Sequence, residues 1–285
     1  MQNLVRQGAD RASRALLEAS RPLNEGTGLA RPSEEPVQAA RLMGLRDFGA
    51  QLDRFERNRT LIQTDLGIAE DVLAGIHDLV STSEDVALAM SNDTVNASDR
   101  QAAARQIDVY LNQILGTVNR KDSAGKFLFA GTAEDKAPFA ADGTYQGNEG
   151  ARFVQVGAGL TVQATMSGTV ALGDKNQVFQ SMKNLRTALE KNDLQGIQDS
   201  IAALEEARQI TLDARTEIGA RLSTLNDVLD LNAGLRTHVD LERSSIESVD
   251  VAKVAPAMTS AQAALEATVS ASKTLMDSLT KSLLS

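Results

Sequence analysis

The chain has no cysteine and no tryptophan, and only 3% of it is aromatic. Without thiols there is no disulfide, no thiolate metal ligand and no cysteine nucleophile. With so little aromatic area, a compact core for 285 residues would lack the side chains that contribute much of the buried surface in such cores. His77 and His238 are the only imidazoles, lie in different predicted helices and are expected as solvated or seam-edge residues rather than a metal pair. Cations are outnumbered, with 29 Lys and Arg against 38 Asp and Glu and a net charge of −9. They are also scattered, so no stripe exists to neutralise phosphates, and no nucleic-acid partner is expected. No run of about 18 apolar residues is present for a membrane span. The opening, MQNLVRQGADRASRALLEAS, is interrupted by charge throughout, so an ordinary cleaved signal peptide is not expected.

What is there is Ala, Leu and Val, in a hydrophobic content of 42%. That bias favours slender helix–helix seams. Residues 1 to 20 are predicted as a helix with Leu4, Gly8, Ala12, Ala15 and Ala19 near one face. Pro22, Pro32 and Pro36, with Gly26 and Gly28, predict a connector from about 21 to 36. Ser33, Glu34, Glu35 and Pro36 form a helix-start signature. From Leu45, stepping three then four, come Leu45, Phe48, Leu52, Phe55, Arg59, Ile62, Leu66, Ala69, Leu73, Ile76, Val80, Ser83, Ala87 and Met90. A period of 3.5 sustained this long is a coiled-coil seam. Arg59 and Ser83 interrupt it, either to set register or partner choice or as tolerated edge positions.

After a break at 91 to 97, Ser98 with Gln101 predicts a capping box for a helix through Ala103, Ile107, Tyr110, Ile114 and Val118. Between Lys126 and Gly173 the segments KFLFA, GTYQG, ARFVQV, LTVQATM and TVAL predict strands and turns. Phe127, Phe129, Phe139 and Tyr145 concentrate there and are the candidate core of this insert. Helix resumes near Gln177, and a second rod is predicted over 194 to 248, with Ile197, Ile201, Leu204, Ile218, Leu222, Leu225 and Leu229 in its seam. The last segment repeats the heptad through Val251, Val254, Met258, Ala261, Leu265, Thr268, Ser272, Leu275 and Leu279, with Pro256 predicting a kink or a helix start.

The fold class expected is mainly α: an elongated antiparallel coiled-coil helical bundle with a small β-rich insert. Its expected divisions are 1–36 with 249–285 as terminal helices, 37–125 with 174–248 as a helical rod, and 126–173 as the insert. Near-motifs for chemistry fail at required positions. Gly125-Lys126 lacks both the upstream glycine, replaced by Arg120, and the following hydroxyl, replaced by Phe127. Gly157-Ala158-Gly159 has Val162 at the third glycine position and is expected to be a hairpin turn. No nucleophile, base or paired carboxylate converges on a predicted pocket, so no catalytic residue, cofactor, metal or small-molecule substrate is expected.

Three stretches resemble the flagellin superfamily, and within it the hook–filament junction family. RPSEEPVQAARL at 31 to 42 is similar to the superfamily's Pro-Ser-Asp-Asp-Pro entrance to a helix. GKFLFAGTAEDKAPFAADGTYQGNEG at 125 to 150 resembles the junction family's Leu-Phe-(Ala/Ser)-Gly, Ala-Pro-Phe and Gly-x-Tyr-x-Gly series. VDVAKVAPAMTSAQAALEATVSASKTLMDSLTKSLLS at 249 to 285 is similar to the shared C-terminal helix. The chain departs from the family at its opening, where 27 residues precede Gly28, and at Pro256.

The resemblance implies a secreted, extracellular structural protein of the bacterial flagellum, exported through the flagellar type III apparatus. It implies self-association in the flagellar axis. Its expected partners are the other hook–filament junction protein, flagellin and an export chaperone. Val254, Met258, Ala261, Leu265, Leu275 and Leu279 are the expected assembly interface. The alternative expectation is a short flagellin that forms the filament itself.

Overall fold

The structure is a computed structural model that describes residues 2–26 and 35–283, with side chains described for 6–26 and 35–274. It is mainly α-helical. The helices are α1 (Gln2–Glu25), α2 (Pro36–Met90), α3 (Ala97–Val118), α4 (Gly168–Leu172), α5 (Gln177–Glu190), α6 (Leu194–Glu247) and α7 (Val251–Leu283). An antiparallel pair, β1 (Phe153–Gly157) and β2 (Leu160–Gln163), lies between α3 and α4. The chain forms two compact units, Met1–Gln51 with Gly234–Ser285 and Leu52–Ala233.

The heptad pattern sets the buried face of α2. Of the fourteen seam residues from Leu45 to Met90, Leu45, Phe48 and Met90 are half-buried and the other eleven are buried, Arg59 and Ser83 among them. Ser83 keeps a hydrogen-bond partner away from water because its hydroxyl donates to the Leu79 carbonyl at 2.7 Å. Arg59 keeps its charge by pairing with Glu56 at 2.6 Å on its own helix.

In the second unit α2 and α6 run antiparallel: Glu70 pairs with Arg215 at 2.8 Å, His77 with Thr211 at 3.0 Å and Glu84 with Arg208 at 3.3 Å. α3 and α5 also run antiparallel, from Arg100–Asn192 at one end to Asp108–Arg186 further along. Ile76, Ile107, Leu185 and Leu204, one from each helix, belong to a single buried cluster. Burying such side chains contributes about 1.5–3 kcal/mol each. His77 is thus a half-buried hydrogen-bonding residue of the α2–α6 seam, whereas His238 is exposed and faces Glu242 at 3.3 Å.

Several expectations change. α1 runs through Pro22 to Glu25, so the connector begins later than residue 21; Gly28, Pro32, Ser33 and Glu34 lie outside the described residues. Ala15 faces solvent and Leu16 takes the seam position, because four residues on from Ala12 completes the helical turn better than three. Asn96, not Ser98, caps α3: its Oδ1 accepts from the Asp99 amide at 2.9 Å. α7 begins at Val251, where the Asp250 carboxylate accepts from the Ala252 and Lys253 amides, and it continues through Pro256. Pro256 therefore does not start the helix.

The insert contains one hairpin where five strand-like segments are predicted. KFLFA and GTYQG contribute only the isolated bridges Lys121–Phe127, Ala130–Ser167 and Phe139–Tyr145. Their amides go to turns instead, as where Asp122 Oδ1 accepts from Ala124 and Lys126. TVAL is the helix α4, capped by Ser167. Gly157-Ala158-Gly159 does form the hairpin turn, with Gly159 at φ +73 where a side chain would be strained.

Candidate functional site

No cluster of three or more His, Cys, Asp or Glu that could hold a metal occurs among the described residues. No described helix is long and apolar enough to cross a membrane. A groove of about 470 Å³ beside Tyr145 and Phe179 is lined by Asp142, Lys175 and Lys183 but holds neither a histidine nor a carboxylate pair. Two features stand out instead: the terminal helix pair and the insert.

In the first unit α7 packs against α1, with Thr268 Cγ2 3.4 Å from where a Cβ on Gly8 would lie. Small residues such as Gly8 and Ala12 allow this approach. Along α7, Val254, Met258, Ala261, Leu265, Thr268 and Ser272 are half-buried while their neighbours are exposed. Four of these are the expected assembly residues; the side chains of the other two, Leu275 and Leu279, lie outside the described residues. Among the described side chains of α1 and α7, only Ala12 is buried. Large apolar groups remain in water: Leu17 is 65% exposed, Val251 59% and Val269 55%. At about 25 cal/mol per Å² of apolar area buried, a pair sealed along one thin stripe has little to offset the ordering of its backbone.

The insert is attached to the helical core rather than being packed around its own. Phe129 is fully buried and Phe139 nearly so, and both join the cluster that includes Ile114 and Val118 of α3 and Phe179 of α5. Tyr145 is half-buried, its ring centroid 5.2 Å from that of Phe139, with its hydroxyl near the carbonyls of Asn148 (2.8 Å) and Phe129 (3.2 Å). Burial raises the pKa of this phenol. Phe127 is only half-buried, under the Lys121 ammonium at 4.8 Å, and does not join that cluster.

Polar side chains hold the loops where no ladder exists. Asn119, just past α3, donates to the Phe139 carbonyl and accepts from the Phe139 amide, both at 3.0 Å. Asn148 Oδ1 accepts from the amides of Thr132 and Gly150. Gly131, at φ +65, sits against the Asn148 carbonyl where any Cβ would overlap. Glu134 is buried; burial pushes its pKa up, but Lys126 at 2.6 Å and Arg152 at 3.1 Å hold it below the usual carboxylate value. Neither Asn119 nor Glu134 stands out in the sequence, since each acts on a residue distant along the chain.

Residues 1–134 match the family described as the bacterial flagellin N-terminal helical region. The chain is 24% identical over 278 residues to flagellar hook-associated protein 3 of Salmonella typhimurium, covering 86% of this chain and 85% of the relative. The chain is therefore similar to proteins of the bacterial flagellum in sequence. The fold matches a putative flagellar hook-associated protein of Vibrio parahaemolyticus, with TM-score 0.69 and 24% identity over 75% of this chain and 99% of the other. It also matches the flagellar junction protein FlgL of Legionella pneumophila, with TM-score 0.62 and 14% identity over 73% and 99%.

Proposed function

We propose that the chain is a structural subunit of the bacterial flagellum that connects hook to filament. The observation that carries this reading is the contrast between the two units. The second buries a continuous core, whereas the terminal helix pair of the first leaves large apolar residues in water. Helices paired along one stripe are marginal alone and gain their stability from further packing. In the assembled axis Val254, Met258, Ala261, Leu265, Leu275 and Leu279 pack within and between subunits, and the insert stands on the outer surface. Its proposed neighbours are the other junction protein on the hook side and flagellin on the filament side. Before assembly an export chaperone covers α7 while the chain leaves the cell through the flagellar export apparatus. No catalytic step is involved.

The test is deletion of the gene followed by complementation. The expected phenotype is hooks without filaments, with flagellin shed into the medium and filaments restored by the intact gene. Purified chain that grows long filaments of itself on a seed would instead identify it as a short flagellin.

A further inference from the structure

Three stretches fit the acceptor pattern for N-linked glycosylation, Asn-x-Ser/Thr: Asn58-Arg59-Thr60, Asn92-Asp93-Thr94 and Asn96-Ala97-Ser98. The fold treats their side-chain nitrogens differently. Asn58 lies within α2 and its Nδ2 donates to the Gln155 carbonyl at 2.8 Å. Asn96 is the cap of α3: Oδ1 accepts from the Asp99 amide at 2.9 Å and Nδ2 donates to the Asp99 carboxylate at 2.8 Å. Glycosylating either nitrogen would disrupt a bond that holds the fold.

Asn92 differs on each count. Asn92, Asp93 and Thr94 are all exposed, in the turn between α2 and α3. Asn92 Oδ1 accepts from both the amide and the hydroxyl of Thr94, each at 3.0 Å. The third residue of the pattern thus grips the oxygen of the first and turns Nδ2 to solvent. Donation into that oxygen makes the carboxamide N–H more acidic, which is what a nitrogen nucleophile of this kind requires. The turn is also rigid, because buried Arg100 bonds the Asn92 carbonyl at 2.9 Å and the Met90 carbonyl at 3.0 Å.

We infer that Asn92 is an N-linked glycosylation site, modified on Nδ2 by a transferase that uses a nucleotide-activated sugar. The Nδ2–C1 bond forms as the bond from C1 to the phosphate oxygen breaks. The nucleoside diphosphate leaves, and the amide proton passes to a base of the transferase. No oxidant or reductant is needed.

The experiment is peptide mass mapping of the full-length chain isolated from its own cells, wild type beside variants. Trypsin releases Thr60–Arg100, which carries Asn92 and Asn96 but not Asn58. The expected result is a hexose or N-acetylhexosamine increment that fragmentation places on Asn92. It is lost in Asn92→Gln and Thr94→Ala, and kept in Thr94→Ser and Asn96→Gln. An unmodified peptide overturns the inference, as does an increment on Asn96, on Asn58, or on a hydroxyl that survives Asn92→Gln.

Discussion

Arg100, buried in the first turn of α3, donates from Nη1 to Asn192 Oδ1 at 2.6 Å and from Nε and Nη2 to the carbonyls of Met90 and Asn92. One guanidinium therefore ties the α2–α3 turn to the α5–α6 turn, where Asn192 holds a left-handed backbone at φ 52. Replacing Arg100 with Met leaves those acceptors unmatched. The expected loss is about 2–4 kcal/mol, read as a lower urea midpoint. A change below about 0.5 kcal/mol, the usual size for a surface substitution, would show that water replaces the guanidinium at no cost.

The two phenylalanines of KFLFA should differ sharply. Phe129→Ala empties a fully buried position and is expected to cost about 3–5 kcal/mol. Phe127→Ala removes a half-exposed ring and a cation contact, for about 1 kcal/mol or less. Equal costs in chemical denaturation would contradict the placement of the insert core.

Two buried carboxyls predict opposite pH behaviour. Burial, then the Asp122 carboxylate, raises the pKa of Asp65. A carboxyl that holds its proton more tightly when folded loses stability as pH rises from its unfolded pKa through the raised folded one. Asp65→Asn should thus gain stability at neutral pH, with the gain fading below about pH 4. Glu134 is lowered, so its stabilisation is present above the unfolded pKa and lost as pH falls through the folded one. Glu134→Gln should weaken the fold at neutral pH and converge with wild type in acid. Urea midpoints across pH, with crossing trends for the two variants, are the measurement.

Along α7, charge on the stripe should act differently from charge beside it. Leu265→Asp is expected to abolish incorporation into flagella, since an ionised group in an apolar seam is costly. Glu266→Lys, on an exposed position, should leave assembly within about twofold, because isolated surface charges contribute little. Filament counts by electron microscopy read both, and an assembling Leu265→Asp chain would dissociate the stripe from assembly.

The long helices were legible because their signal is local. A helix neighbours itself at i+3 and i+4, so Ile62, Leu66, Leu73 and Ile76 declare a buried face without reference to the rest of the chain. The α7 stripe was legible for the same reason. In the insert KFLFA, GTYQG and TVAL do not form the strands their composition predicts, and Phe127 lies outside the core cluster. Their amides bond within turns, as where the Phe127 amide reaches the Glu134 carbonyl and the Gln146 amide the Pro138 carbonyl, and period-two alternation carries no record of such partners. Polar fasteners such as Arg100, Asn119 and Asn148 carry no local signal because most of their partners are backbone atoms, which no residue type announces.

By itself the sequence determined the mainly helical class, the registers of the seams and the lack of thiol chemistry, since each follows from residue type and local spacing. Tertiary structure decided which insert segments pair and which Phe is core. It also decided which acidic group is raised and which lowered, and which of three Asn-x-Ser/Thr asparagines keeps its nitrogen in solvent. Those outcomes depend on burial and on hydrogen-bond partners that only the folded chain brings within reach.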